Sequence, residues 1–385
     1  LAVLPALWLW RARVRPARGW RHPAQLVGAA LAAVLLAVLA LLPVMADFSA
    51  AMRNHKQLRY LVTPLNSFYA LGRVAWDANA APKGPPMAIG TDARVAVAPA
   101  GGKPPLLLFV VGETARADRF SINGYARPTT PELQRRGVVS FPDVTSCGTS
   151  TAASLPCMFS PLGREALEAR DGESENLLDV LHKAGFAVLW VDNQSGCKGL
   201  CARVANGHAR DPAPAEPARP AGLCEGGECF DEALLPGLDG RLAALPAGRR
   251  AQGVVVVLHQ MGSHGPAYWK RSPAAFKRFQ PECTTNALQQ CSAEGLNNAY
   301  DNSIAYTDHL LGRAIDWLSR PALRATHEPA LLYVSDHGES LGEKGLYLHG
   351  MPWALAPRVQ THVPMVAWAP PQGPGAALMR CLESR

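Results

Sequence analysis

The segment from Pro23 to Ala46 contains no charged residue and consists mostly of Ala, Leu and Val. As an α-helix it is long enough to cross the roughly 30 Å hydrocarbon core of a bilayer. Five arginines crowd the positions just before it, between residues 11 and 21. Short arginine-rich loops stay in the cytoplasm. We therefore predict a membrane span over 23–46, a cytoplasmic loop over 11–22, and a chain that lies outside after Asp47.

The formal net charge of +7 does not indicate nucleic-acid binding, because the clustered arginines are explained as a topology signal beside the predicted span. We therefore predict no nucleic-acid partner. A cleaved signal peptide is the alternative for this segment. Another apolar stretch, LAVLPALWLW, precedes the arginines, however, and no clear small-residue cleavage site follows. Residues 1–46 are therefore interpreted as a partial transmembrane region that lacks its first spans.

Nine cysteines agree with an outside location, and eight of them fall into close pairs in Gly-, Pro- and Ser-rich loops. Close pairs can be disulfides or zinc ligands. No CxxC unit occurs and the pairs follow a membrane span, which favours disulfides formed in an oxidising compartment. Cys381 is left over. The expected pairs are Cys147 with Cys157, Cys197 with Cys201, Cys224 with Cys229, and Cys283 with Cys291.

Hydrophobic residues make up 48% of the chain, enough to fill the core of one large domain. Residues 47–104 are predicted to form a connector and a linker rich in Ala, Pro and Gly. From residue 105 to residue 385 we predict a single catalytic domain. Within it, the stretch 205–222 is expected to be a surface insertion.

The predicted catalytic domain alternates apolar runs of strand length with helical patterns at 175–185 and 296–320. Runs that are apolar on both faces are typical of buried strands in a parallel sheet. The expected fold class is therefore α/β, an α/β/α sandwich with a mostly parallel sheet, preceded by a transmembrane helix. The runs lie at 105–113, 186–193, 253–260, 330–336 and 362–370.

Side chains that bind metals follow three of these runs. Glu113 ends the first run, His259 lies near the end of the third with His264 after it, and Asp336 ends the fourth just before His337. Active sites of open parallel sheets form beyond the carboxyl ends of the strands. Carboxylates and imidazoles are the side chains that hold zinc. Three strand ends with such residues therefore indicate a metal site.

The segment TSCGTSTAASLPC adds a candidate nucleophile, because it places Thr and Ser hydroxyls in a short loop between Cys147 and Cys157. A free hydroxyl is a poor nucleophile, and coordination to a metal is one way to activate it. The alternative is an ordinary turn held by a disulfide.

Several long motifs resemble the lipid A phosphoethanolamine transferases, a family that includes the mobile colistin-resistance enzymes. The resemblance extends in order from about residue 53 to about residue 370. It implies an alkaline-phosphatase-like fold in the alkaline phosphatase and sulfatase superfamily. The motifs are VVGETARADRFSINGY, FPDVTSCGTSTAASLPCMFS, NQSGCKGLC, HQMGSHGP and SDHGESLGEKGLYLHG.

The resemblance also implies roles for individual residues. It implies one tightly bound zinc ion, leaves a second open, and assigns the nucleophile to Thr151 instead of Thr149. The implied zinc ligands are Glu113, Thr151, Asp336 and His337. His264 and His349 are expected near a second metal or the substrate, as catalytic or substrate-binding residues, and Lys198 and Glu339 near the substrate head group. His259 receives no role.

The implied reaction transfers phosphoethanolamine from phosphatidylethanolamine to a phosphate of lipid A, through a phospho-enzyme intermediate on a zinc-activated threonine. It is expected to give resistance to polymyxin and cationic peptides. The expected enzyme is a monomer in the bacterial inner membrane with its catalytic domain in the periplasm. The last part of the family's domain is expected to be absent after Arg385. Three alternatives stay open: another glycan acceptor such as core heptose or Kdo, phosphoglycerol transfer, and a non-catalytic envelope sensor.

Overall fold

A computed structural model describes residues 21–44, 65–79, 84–95, 102–170, 172–212 and 222–384. The chain divides into two compact units, residues 1–69 and residues 70–385. Most of the predicted arginine-rich loop, and residues 47–64 of the predicted connector, lie outside the described residues. The same holds for residues 213–221 of the predicted insertion.

One helix of the described part is long and apolar enough to cross a membrane. Helix α1 spans Arg21–Leu41 and continues as a short 3-10 helix, Leu42–Val44. The apolar portion, Ala24–Val44, has a mean hydropathy of 2.7 and is not buried against other parts of the chain. Its position agrees with the predicted span over 23–46.

The remaining helices and strands lie almost entirely in the second unit. Helices α2 to α11 span Leu65–Asn79, Pro131–Arg135, Thr151–Met158, Arg164–Glu168, Leu177–Lys183, Leu238–Ala243, Ala247–Arg250, Ala293–Leu318, Pro321–Thr326 and Pro374–Glu383. Strands β1 to β11 span Pro105–Gly112, Val139–Thr145, Ala187–Asp192, Ala205–His208, Cys224–Glu225, Glu228–Cys229, Val254–His259, Glu328–Ser335, Ser340–Leu341, Tyr347–Leu348 and His362–Trp368.

Seven strands form one sheet in the order β2-β11-β8-β1-β7-β3-β4. The strands from β8 to β4 are parallel, whereas β11 is antiparallel to both β8 and β2. The sheet is therefore mostly parallel, and the predicted α/β fold class is confirmed. The five apolar runs became β1, β3, β7, β8 and β11. The edge strand β2 contains Pro142, which a sheet tolerates best at its edge.

Alternate residues of β1 point to opposite faces of the sheet and enter two separate cores. Leu106, Leu108 and Val110 pack in a cluster that contains the apolar residues of α9. Phe109 and Val111 pack in a second cluster with residues of α4 and α6. Full burial of one such side chain stabilises the fold by about 1.5–3 kcal/mol. Helices therefore cover both faces of the sheet, as the doubly apolar strands required.

One expectation about the chain's organisation was wrong over its first four residues. The stretch 205–222 was expected to be a surface insertion, but Ala205–His208 forms β4, which pairs in parallel with β3 from Leu189 to Asp192. The strand escaped notice because its residues, ANGH, are polar and small and it lies at the edge of the sheet. An edge strand is held by backbone hydrogen bonds along one side and needs no apolar pattern.

The eight paired cysteines are joined by disulfides in the pairs expected from their spacing, and Cys381 is an exposed free thiol. The bridge between Cys147 and Cys157 encloses the loop that precedes α4 and the first turns of that helix. The bridge between Cys197 and Cys201 closes a short loop after β3.

Candidate active site

The ends of β1 and β8 place a carboxylate next to a carboxylate–imidazole pair. The two strands are paired in parallel up to Gly112 and Ser335. Glu113 therefore emerges beside Asp336 and His337, and all three side chains are fully buried. The Nε2 atom of His337 lies 3.2 Å from Oε1 of Glu113 and 3.6 Å from Oδ2 of Asp336. These are three of the four residues for which a metal-binding role was predicted.

Thr151 brings its hydroxyl to the same point. It is the first residue of α4. Its Oγ1 donates a hydrogen bond of 2.9 Å to Oε2 of Glu113 and lies 3.4 Å from Nε2 of His337. Thr149 points elsewhere, because its Oγ1 donates to the carbonyl oxygen of Met351 at 2.6 Å. The geometry therefore favours Thr151 over Thr149 as the reactive hydroxyl.

Two further residues hold Glu113, and no motif in the sequence singles them out. The hydroxyl of Thr114 donates to Oε1 of Glu113 at 2.6 Å, and Nε2 of Gln194 donates to Oε2 at 2.8 Å. Thr114 has a φ of +61°, a left-handed conformation that is uncommon for a residue other than glycine and often marks functional sites. Only the fold could reveal these contacts, since Gln194 lies on the loop after β3.

Gly262 lets the loop after β7 pass close to Glu113. It has a φ of +52°, and a Cβ atom at this position would lie 2.5 Å from the carbonyl oxygen of Glu113. A larger residue would push the loop away from the site. The nearby amide of Ser263 also donates to that carbonyl oxygen at 3.0 Å. The first glycine of the GSHGP segment is therefore needed to seat His264, two residues further along the chain.

The buried charges of the site act on one another. Burial opposes ionisation of Glu113, but the hydrogen bond and charge of His337 hold its pKa well below the usual range. Burial and the neighbouring Glu113 charge raise the pKa of Asp336 to about 6. Burial disfavours the charged form of His337, yet the two carboxylates raise its pKa to about 10. A site that stabilises a buried imidazolium so strongly has a negative potential, which also attracts a metal cation.

The donor set fits a metal ion. Oδ2 of Asp336 is buried and accepts no hydrogen bond from any residue that the structure describes. An ionised oxygen buried in this way is costly unless a cation or donor reaches it. Ligand atoms of Glu113, His337 and His349 also lie within 4.8 Å of one another. Carboxylate, imidazole and hydroxyl groups at one point are the ligands that zinc accepts.

His349 and His264 flank the site. The ring centroid of His349 lies 4.2 Å from that of His337 and 5.9 Å from that of His264. Nδ1 of His349 lies 3.3 Å from Oε1 of Glu339, which is fully buried. Burial lowers the pKa of His264, which keeps its imidazole neutral near neutral pH. The structure thus brings His264, His349 and Glu339 to the predicted site.

Lys198 is not brought into contact with these groups. It is exposed, and its ammonium donates to the backbone oxygen and hydroxyl of Ser195 in its own loop. Its φ is +50°, and it lies between the two cysteines of the bridge that joins Cys197 and Cys201. The same loop reaches Glu113 through Gln194. Lys198 therefore lies on a loop that reaches the site, but its side chain is turned toward the backbone of that loop.

His259, the histidine without an assigned role, forms a separate buried pair. Its Nδ1 lies 2.9 Å from Oδ2 of Asp192, at the ends of the adjacent strands β7 and β3. Burial alone would disfavour the charged imidazole, but Asp192 raises the pKa of His259 above its usual value. The same contact lowers the pKa of Asp192 to about 2 against the effect of burial.

Comparison with known families gives two matches. Residues 105–379 match the sulfatase family. Residues 1–78 match the family described as phosphoethanolamine transferase EptA/EptB. The first match covers the sheet and every residue of the site, and the second includes the apolar helix α1.

Individual relatives agree with both matches. The chain is 41% identical over 372 residues to phosphoethanolamine transferase EptA of Salmonella typhimurium, covering 96% of this chain and 65% of the relative. It is 41% identical over 380 residues to phosphatidylethanolamine transferase Mcr-1 of Escherichia coli, covering 97% and 68%. The chain thus spans about two thirds of the length of these relatives.

One solved structure is similar over most of the chain. The integral membrane lipooligosaccharide phosphoethanolamine transferase A of Neisseria meningitidis superposes with a TM-score of 0.72 at 37% identity. The superposition covers 99% of this chain and 69% of that one.

Proposed function

Because this chain belongs to the phosphoethanolamine transferase family, within the alkaline phosphatase and sulfatase superfamily, we propose that it transfers phosphoethanolamine from phosphatidylethanolamine to a phosphate of lipid A. The observation that carries the proposal is the position of Thr151. Its hydroxyl lies between a buried carboxylate, Glu113, and a buried imidazole, His337. A hydroxyl in this position can lose its proton and attack phosphorus.

Glu113, Thr151, Asp336 and His337 would hold one zinc ion in this proposal. When bound, zinc lowers the pKa of a coordinated hydroxyl and offsets negative charge on phosphoryl oxygens. Oδ2 of Asp336, which accepts no hydrogen bond from the described residues, supports its inclusion as a ligand. His349 is half-buried and hydrogen-bonded to Glu339 and lies near His264, which supports the proposal that these histidines meet a second cation or the substrate.

The reaction has two steps in this proposal. In the first, Oγ1 of Thr151 forms a bond to phosphorus, the bond to the glycerol oxygen breaks, and diacylglycerol leaves with a proton. In the second, a phosphate oxygen of lipid A attacks the same phosphorus and the bond to Thr151 breaks. Phosphoryl transfer depends mainly on positioning and on electrostatic stabilisation. Thr151 also opens helix α4, whose N-terminal end favours negative charge.

The flanking residues would supply protons and bind the head group. The imidazole of His264 or His349 can bind a cation, and in its protonated form it can donate a proton to a leaving oxygen. The carboxylate of Glu339 suits the ammonium of ethanolamine. Lys198 would reach a phosphoryl oxygen after its ammonium leaves Ser195, a rotation of one exposed side chain.

The proposal includes an arrangement in the cell. Residues 1–46 would lie in the inner membrane, residues 47–104 would connect them to the periplasm, and residues 105–385 would carry out the reaction. An anchor in the membrane raises the effective concentration of two lipid substrates at the site. Added ethanolamine groups carry positive charge and would weaken the attraction of lipid A for polymyxin. We propose that the enzyme works as a monomer.

The test replaces the proposed nucleophile. Thr151→Ala removes only a small side chain, so we expect an intact fold, no phosphoethanolamine adduct by mass spectrometry, and no release of diacylglycerol. Thr149→Ala is the matched control, because it removes the same hydroxyl group two residues away and should keep most activity. Release of diacylglycerol by the Thr151→Ala enzyme at a rate near that of the wild type would refute the assignment.

A further inference from the structure

A cavity of about 790 Å³ opens beside His264. This volume is in the range of sites that bind small molecules. Its lining includes Phe230 and the consecutive residues Trp269, Lys270, Arg271 and Ser272. None of these residues has been given a role in the proposed reaction.

Three hydrogen-bond donors around this cavity have no acceptor among the described residues. The atoms Nε1 of Trp269, Nε of Arg271 and Oγ of Ser272 are buried and have no hydrogen-bond partner among the residues that the structure describes. Arg271 is 9% exposed and Ser272 is 2% exposed. Native proteins rarely leave several buried donors unsatisfied at one place. Such a group of donors indicates a ligand that is rich in acceptor oxygens.

The cavity also has a cation whose charge is not neutralised nearby. The ammonium of Lys270 lies 5.1 Å from the ring centroid of Trp269, and within the described part of the chain it forms no ion pair. Arg271 and Lys277 differ, since they pair with Glu228 at 3.2 Å and Glu282 at 2.8 Å. Glu225 also lines the cavity. Among the described residues, Lys270 therefore adds a positive charge without an ion pair to a cavity that Glu225 and Glu228 also line.

Three imidazole rings lie between the cavity and the reactive hydroxyl. His264 lines the cavity and lies 5.9 Å from His349, which lies 4.2 Å from His337. Nε2 of His337 is 3.4 Å from Oγ1 of Thr151. A ligand in the cavity would thus face the site from the side of His264.

We propose that this cavity binds the phosphorylated sugar of the acceptor, with its phosphate oxygens on Lys270, Arg271 and Ser272. The flat ring of Trp269 has an apolar face for a sugar ring and an N–H group for a hydroxyl. An acyl chain does not fit this lining, because it would leave the donors unsatisfied. This inference rests on the proposed function and locates its second substrate.

The main test compares the two half-reactions in the full-length chain. Lys270→Ala and Ser272→Ala should each raise the KM for lipid A about tenfold, the usual effect of one hydrogen bond to a charged group. Both should leave diacylglycerol release within about twofold of the wild-type rate, and Lys270→Arg should restore transfer. Lys103→Ala is the matched control. It removes the same charge just before β1, at the end of that strand opposite to Glu113.

Calorimetry with defined probes separates this inference from the proposed function. Glucose 1-phosphate and inorganic phosphate are titrated into the full chain and into its Lys270→Ala variant. We expect glucose 1-phosphate to bind more tightly than phosphate, and about tenfold more weakly to the variant. If wild-type protein releases no diacylglycerol, the proposed function fails, whereas the cavity is still judged by this titration.

Other outcomes overturn the inference. Equal loss of both half-reactions in Lys270→Ala would mean that the cavity serves the donor lipid or the fold. Unchanged transfer in both variants would exclude an acceptor at this position. Equal affinity for glucose 1-phosphate in wild type and variant, or binding of neither probe, would contradict a phosphate site on Lys270.

Discussion

Two buried histidine–carboxylate clusters lie at the carboxyl ends of the parallel strands. They differ in how many hydrogen bonds their aspartates accept. Asp192 is saturated, because its oxygens accept hydrogen bonds from Trp190, Gln194 and Gly196 in addition to the contact with His259. Asp336 has an oxygen that accepts no hydrogen bond from the described residues. Both clusters pair a histidine with an aspartate, yet among the described residues only Asp336 has acceptor capacity left for a metal.

The contrast extends to neighbouring groups. The His337 cluster includes a second carboxylate, Glu113, a hydroxyl and a nearby half-buried imidazole, His349. His259 instead packs against the indole of Trp190 at a centroid distance of 5.5 Å. Its Nε2 has no partner among the described residues. That single nitrogen could not hold a metal with Asp192, because the oxygens of Asp192 already accept hydrogen bonds. We infer that the first cluster serves chemistry and the second holds two strand ends together.

The largest expected effect is loss of metal from the His337 cluster. Glu113→Gln and Asp336→Asn each remove a charged ligand, so we expect zinc affinity to fall more than about 100-fold. Residues that merely support ligands already contribute about 10–100-fold. Zinc content measured by mass spectrometry of purified protein is the readout, together with diacylglycerol release, which should fall to background.

Asp192→Asn is the matched control, since it makes the same change of charge at a neighbouring strand end. It should retain a full complement of zinc. If Asp192→Asn lost zinc as Asp336→Asn does, the two clusters would be one metal site and the comparison would be wrong.

The next largest effect is expected at the two histidines that flank the His337 cluster. His264→Ala and His349→Ala should reduce transfer to lipid A by about 10²–10⁴, the range for loss of a general acid or base. Diacylglycerol release should suffer less, because Thr151 and its neighbours remain in place. Both products are measured in parallel for each variant. Equal loss of the two activities would assign the histidines to the first step or to the primary metal.

The sequence predicted the parts of the site that follow strands. Glu113, Asp336 and His337 end apolar runs, and parallel pairing of β1 with β8 brings such ends together. Thr151 was preferred to Thr149 only through family resemblance. The structure adds a physical reason, because the hydroxyl of Thr149 is used to hold Met351.

The sequence could not separate the two clusters. His259 and His337 both follow buried runs, and the number of donors that reach each carboxylate depends on loops that fold from distant segments. Gln194 illustrates this, because its backbone amide donates to Asp192 and its side chain donates to Glu113. The polar edge strand β4 was missed for a related reason, since only its pairing with β3 defines it.

A smaller effect is expected from the second cluster. His259→Gln should retain zinc but lower the free energy of unfolding by about 1–3 kcal/mol, because it leaves a buried carboxylate short of a partner. Chemical denaturation compared with wild type is the measurement, with zinc content as the control. An unchanged stability together with lost activity would instead make His259 part of the catalytic machinery.

The smallest effect is a pH dependence specific to this second cluster. The contact lowers the pKa of Asp192 to about 2, so its contribution to stability is present above about pH 4 and is lost as pH falls toward 2. The same contact raises the pKa of His259. The contribution of His259 to stability is therefore complete below about pH 6.5, and it is lost as pH rises through the raised pKa of the folded state. The pair therefore stabilises the fold most between about pH 4 and pH 6.5.

The difference in unfolding free energy between wild type and Asp192→Asn should be about 2 kcal/mol in this window and smaller on both sides. Measuring both proteins at each pH cancels the titration of the His337 cluster, which both retain. A difference that stayed constant from pH 3 to pH 9 would show that Asp192 acts through packing and hydrogen bonds alone, without the charge of His259.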